Sequence, residues 1–176
     1  MKFAIRIAFL LSFIICFSQT GFSQKWVKIT KKDYTIQSPA DWTIDSSKQM
    51  GTDLVLFSML ENGTDKFREN VNVHIQDITG INIDLSKYTA ISEGRIKAMS
   101  PDSRIEESKT LNTGKAIFQK IIYTATQSGF KLKFEQYYYV AAKKAYTVTL
   151  TTEVGKFEIF KPTGEQVLHS FALTGN

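Results

Sequence analysis

AIFQKIIYTAT (116–126), FKLKFEQYYYV (130–140) and AYTVTLTT (145–152) follow one another with only Ser128-Gly129 and the residues 141–144 as breaks between the last two joins. Each run alternates apolar or aromatic residues with polar ones, the period of a strand whose side chains point to opposite faces. Connections this short join antiparallel neighbours, so the three runs are expected to pair as a meander. Within 130–140, Phe130, Leu132, Phe134 and Tyr138 share one face, and Lys131, Lys133, Glu135, Tyr137 and Tyr139 share the other. Pairing across Ala142-Lys143 sets Tyr139 opposite Tyr146 and Tyr137 opposite Val148.

Outward from this meander, Val71, Val73 and Ile75 alternate with Asn72, His74 and Gln76 in another clear strand. Residues 26–29, 34–37, 42–44 and 54–59 are shorter strand candidates, the first two flanking the polar turn Lys31-Lys32-Asp33. Two segments carry helical spacing. Asp84 suits an N-cap for a helix in which Leu85, Tyr88, Ile91 or Ser92, Arg95 or Ile96, and Met99 form one stripe, ending at Ser100-Pro101. Near the end, Phe157, Phe160, Val167, Leu168 and Phe171 repeat similarly. Pro162 is tolerated best at a first helical position, so that helix is expected from about 162 to 170.

At the N-terminus, Lys2 and Arg6 precede an apolar run over residues 7–17 and a polar stretch after it, the three-part order of a secretory signal. The apolar run is shorter than the roughly 20 residues of a membrane-spanning helix. Gly21 and Ser23 are small residues two apart, which places cleavage after Ser23, with Ser18 as a second option. Residues 1–23 are thus expected to leave, and 24–176 to form one domain that is periplasmic or secreted, with no stable membrane span. Cys16, the only cysteine, leaves with the signal, so the mature chain has no disulfide and no thiol nucleophile. Ile15 before it is too bulky for a lipoprotein site. The mature chain is only mildly basic, which speaks against nucleic acid as a partner.

No catalytic or cofactor-binding pattern emerges, and neither a cofactor nor a metal is expected. His74 and His169 are far apart and in different elements. There is no Gly-x-Ser-x-Gly elbow, phosphate-binding loop or dinucleotide fingerprint. Glu106 and Glu107 are adjacent, so in extended chain they point to opposite faces unless a bend intervenes. Asn62-Gly63-Thr64 reads as a turn rather than a glycosylation site.

Three segments, YTIQSPADW (34–42), FRENVNV (67–73) and SFAL (170–173) at the end of the last helix, resemble the PsbP-like family in order and spacing. That family includes the lumenal extrinsic protein of photosystem II and bacterial DcrB-type envelope proteins. The resemblance covers about residues 26–173. It implies an α+β fold, an α-β-α sandwich with a central, mostly antiparallel sheet of about six strands and helices on both faces. It also implies an accessory, assembly or binding role rather than catalysis. Photosystem function does not carry over, because the signal has a bacterial form.

One surface stands out. Tyr137 and Tyr139, extended by Tyr146, make an aromatic patch near Lys131, Lys133, Lys143 and Lys144. Either a helix covers the patch or it is a partner-binding surface with a preference for an anionic partner. The leading expectation is a non-catalytic exported binding or assembly-accessory protein acting with another envelope protein. The alternative is a chaperone-like protein shielding apolar segments of envelope clients, and the third is an enzyme with an unrecognised site.

Overall fold

The structure, a computed structural model, describes residues 24–174. The expected signal segment, residues 1–23, with its expected cleavage positions lies outside the described residues.

The meander is formed by β7 (Ile117–Gln127), β8 (Phe130–Ala141) and β9 (Lys144–Glu153). Both hairpins turn on two residues of positive φ, Ser128 (52°) with Gly129 (83°) and Ala142 (49°) with Lys143 (62°). That backbone twist matches the right-handed twist of the flanking strands. The predicted register holds, with Tyr137 opposite Val148 and Tyr139 opposite Tyr146.

β5 (Asn70–Asp77) lies beside β9, and β4 (Leu54–Phe57) and β3 (Thr43–Asp45) continue outward from it. On the other side β6 (Arg104–Asn112) closes the sheet against β7. The sheet therefore has seven strands, all joined antiparallel, rather than about six. β6 escapes the sequence pattern because it is an edge strand: its residues are mostly exposed, so it needs no strict apolar alternation. A second, three-stranded sheet joins β1 (Trp26–Thr30), β2 (Tyr34–Pro39) and β10 (Ala172–Leu173).

α1 (Leu85–Met99) begins where its cap predicts, the Asp84 carboxylate accepting from the Lys87 N–H at 2.8 Å. α2 runs Phe157–His169, so it begins at Phe157 and not near Pro162. Burial of Phe157, Gly164, Val167 and Leu168 outweighs the one backbone bond that Pro162 cannot make. Glu158 and Pro162 both lie on the exposed side, where the freed carbonyl can meet water. The helix ends where expected, at His169 with Ser170 as its C-cap. Phe171 drops into the core, and Ala172 and Leu173 pair with Thr35 and Tyr34 instead of extending α2.

The two helices take opposite faces of the large sheet, each over its own core. On one face, α2 and the small sheet cover Phe118, Tyr137, Tyr139, Tyr146, Val148 and Leu150. α2 comes so close there that a Cβ on Gly164 would lie 2.5 Å from Leu150 Cδ2. On the other face, α1 covers Ile121, Tyr123, Phe134 and Tyr138 through Tyr88 and Ile96.

Candidate functional site

The predicted tyrosine surface is not formed. Tyr137, Tyr139 and Tyr146 are 0%, 5% and 2% exposed, beneath α2 and the segment that follows it. Phe171 packs at 5.0 Å from the Tyr139 ring and 6.1 Å from that of Tyr146, and Phe118 stacks on Tyr137 at 4.6 Å. Phenolic rings at the centre of a sheet bury too much apolar area to stay in water once a helix can reach them. Nor do the lysines rim a patch. Lys133 lies 4.4 Å over the Phe157 ring and pairs with Glu106 at 2.8 Å, while Lys144 pairs with Asp33 at 2.5 Å at the far end of the strand. Lys131 and Lys143 are exposed and lie at opposite ends of β8.

Beneath α2 several polar groups of this face pair with one another, although Glu135 Oε2 and Thr152 Oγ1 are buried without a hydrogen-bond partner among the described residues. Lys120 Nζ is 2.7 Å from Glu135 Oε1 and 3.1 Å from Glu165 Oε1. The Tyr137 hydroxyl is 3.2 Å from Glu135 Oε1 and 3.0 Å from His169 Nε2. Burial disfavours the Lys120 cation, but the Glu135 and Glu165 carboxylates outweigh it and hold the ammonium charged. Burial likewise drives the Tyr137 hydroxyl well above its ordinary range, so it stays a neutral donor. This network ties α2 to the sheet.

Glu106 and Glu107 differ from expectation too. A bulge between Ile105 and Glu107 breaks the alternation, and both carboxylates turn toward the α2 side. Glu106 meets Lys133 and Glu107 pairs with Lys109, which holds the Glu107 carboxyl below its usual range. Each carboxylate is thus committed to its own lysine. Asn62 forms the expected turn, its Oδ1 accepting from the N–H groups of Thr64 and Asp65.

The open feature lies on the other face. α1 packs mainly on β6, β7 and β8, leaving the rows of β9 and β5 on this face largely uncovered. Three rows cross this part of the sheet: Gln136, Thr149 and Asn72; Phe134, Thr151 and Asn70; Tyr138, Thr147 and His74. These side chains, Tyr138 apart, form the floor of a groove of about 570 Å³. Thr149 and Thr151 are buried in it, at 5% and 7% exposure. Phe67 and Phe130, with rings 5.3 Å apart, make one wall; Met99 at the end of α1 and the hairpin tip Gln127 and Ser128 also border it.

The floor is ordered. Gln136 Nε2 donates to Thr149 Oγ1 at 3.1 Å and Gln136 Oε1 accepts from the Tyr138 hydroxyl. Asn70 Nδ2 donates to the Arg68 carbonyl at 3.1 Å, and the Tyr88 hydroxyl reaches from α1 to within 3.4 Å of Thr147 Oγ1. His74 belongs to this groove, whereas His169 lies on the α2 side of the sheet, so the two imidazoles cannot act together. No helix among the described residues is long and apolar enough to cross a membrane.

No protein-family model matches the chain, and no curated protein matches it by sequence. Solved structures do match in three dimensions. The solution structure of the cyanobacterial PsbP protein of Synechocystis superposes with a TM-score of 0.64 at 16% identity, covering 89% of this chain and 96% of that one. The fold is PsbP-like. LpqN of Mycobacterium tuberculosis, described as involved in cell envelope biogenesis, matches at TM-score 0.62 and 10% identity over 87% of this chain and 92% of that one. A Pseudomonas aeruginosa protein of unknown function matches at 0.60 and 12% identity, over 86% and 99%. In this PsbP-like sandwich the groove residues Asn70, Asn72, Gln136, Thr147, Thr149 and Thr151 went unnoticed as a group in the sequence. Their signal was there in part, as polar alternation in two runs, but only the pairing of β5 with β9 makes those positions one surface.

Proposed function

We propose that this chain is an exported, non-catalytic binding or assembly-accessory protein that holds its ligand in the groove between α1 and the β5 side of the sheet. The groove carries the reading: a half-open site of about 570 Å³, within the roughly 300–1,000 Å³ typical of small-molecule sites, with an ordered polar floor and aromatic walls. Its single imidazole, His74, has no carboxylate, lysine or thiol beside it among the residues lining the groove, which favours holding a ligand over acid–base chemistry. The signal-like N-terminus supports export, with residues 24–176 as the mature domain. The envelope role in the description of LpqN supports work beside another envelope protein.

Mass spectrometry of protein recovered from outside the cytoplasm tests both parts. Under denaturing conditions the mass should correspond to a chain beginning at Gln24; a chain that still begins at Met1 would overturn signal cleavage, and finding the protein only in the cytoplasm would overturn export. Under native conditions a small non-covalent adduct should be retained, and a Phe67→Ala, Phe130→Ala double variant that remains folded should lose it. Retention of the adduct by that variant would remove the groove from the proposal.

A further inference from the structure

We infer that the groove takes a neutral, hydroxyl-rich ligand of the saccharide class; the inference rests on the binding role proposed above and specifies its chemistry. None of the residues lining the groove is Asp, Glu, Lys or Arg, in a chain where those four types make up 22% of residues. An anionic headgroup or phosphate would find no cation there, and a cationic ligand no carboxylate. A purely apolar chain would fit no better, because it would strip water from amides and hydroxyls on the floor and leave them unpaired.

What the floor offers is a mixed set of donors and acceptors at fixed spacing. Asn70, Gln136 and Thr147 are held by neighbours, whereas Asn72 and His74 carry no side-chain hydrogen bond among the described residues. Amide and hydroxyl groups both donate and accept, as sugar hydroxyls do. The Phe67 and Phe130 rings, inclined at 49° to each other, supply the other half of the match, an apolar wall in which a ring face can take the C–H face of a pyranose. An extended peptide is disfavoured by topology: β5, β9 and β8 are paired on both sides, so no backbone edge lies under the groove for strand addition.

The test is titration of the purified ¹⁵N-labelled protein with maltotriose and with tri-N-acetylchitotriose, read at the side-chain amide resonances of Asn72 and Gln136. At least one trisaccharide should shift these signals saturably. Asn72→Val, with an unchanged melting temperature, should weaken that binding about tenfold, as expected for loss of a hydrogen-bonding partner; Gln127→Ala at the exposed hairpin tip should also weaken it and guards against a folding defect in the first variant. If neither sugar shifts the signals but inorganic phosphate or decanoate does, the groove is a binding site and the saccharide class is wrong. Should none of the four probes shift them, the groove is not a ligand site and the binding reading falls with it.

Discussion

The two faces of the seven-stranded sheet are built from the same strands and end in opposite states. On the α2 face, a helix and a second small sheet seal the aromatic residues, and several of its charged groups are drawn into ion pairs beneath them: Lys120 with Glu135 and Glu165, Lys133 with Glu106. On the α1 face a single helix covers β6, β7 and β8 and leaves the polar rows of β9 and β5 open. Aromatic residues in a strand therefore do not mark a binding surface by themselves. The surface is where the covering elements stop.

The sharpest way to break this comparison is to damage each face in turn. A Tyr137→Ala, Tyr139→Ala double variant should lose stability by about 3–5 kcal/mol or more, as truncation of large buried aromatics does, whereas Asn72→Val on the open face should stay within about ±0.5 kcal/mol. Chemical denaturation measures both. A mild effect of the tyrosine pair would mean that the α2 face is not sealed.

Gly164→Ala should produce a smaller loss. The new Cβ would collide with Leu150 Cδ2 and Cδ1 at 2.5 and 2.7 Å, and Leu150 is fully buried and cannot move aside. Overpacking of this kind costs about 1–3 kcal/mol, offset in part by alanine's advantage of roughly 1 kcal/mol in a helix. Combining it with Leu150→Ala should recover part of the Gly164→Ala penalty; strictly additive losses would show that the two sites do not touch.

The smallest effect is a pH dependence at the exposed margin below the α1 face. Asp102 accepts from the Ser100 hydroxyl at 2.6 Å and from the Thr126 hydroxyl at 2.6 Å, bonds that lower its carboxyl from 3.8 to about 2. A depressed pKa means the ionised form is favoured by folding, so this contribution is complete above the unfolded value and fades as pH falls from about 4 to about 2. The melting-temperature difference between the protein and Asp102→Asn should be flat above pH 5 and narrow below pH 4. A difference that is constant throughout would show that the ionised carboxylate contributes nothing there.

How much of this was legible depended on whether neighbouring residues or distant ones set the outcome. The meander was readable down to Tyr139 facing Tyr146, because alternation and two-residue turns are local and leave little choice of register. Asp84 marked the start of α1 for the same reason, a cap being a contact three residues long. β6 was missed because an edge strand can be polar throughout, and the start of α2 was misplaced because burial of Phe157 overrode the local preference of Pro162. The bulge that turned Glu106 toward Lys133 left no mark in composition either.

By itself, the sequence determined the strands of the meander, the register of its second hairpin and the cap of α1, since each follows from period, turn chemistry or a short motif, while the PsbP-like sandwich was what the resemblance of three short segments to that family implied. Only the tertiary structure decided that Tyr137, Tyr139 and Tyr146 are core and that Asn72, Gln136 and Thr149 share one row of an open groove. Alternation tells which side chains share a face of a strand, but it carries no information on which face a helix will cover or how far along it that helix will reach.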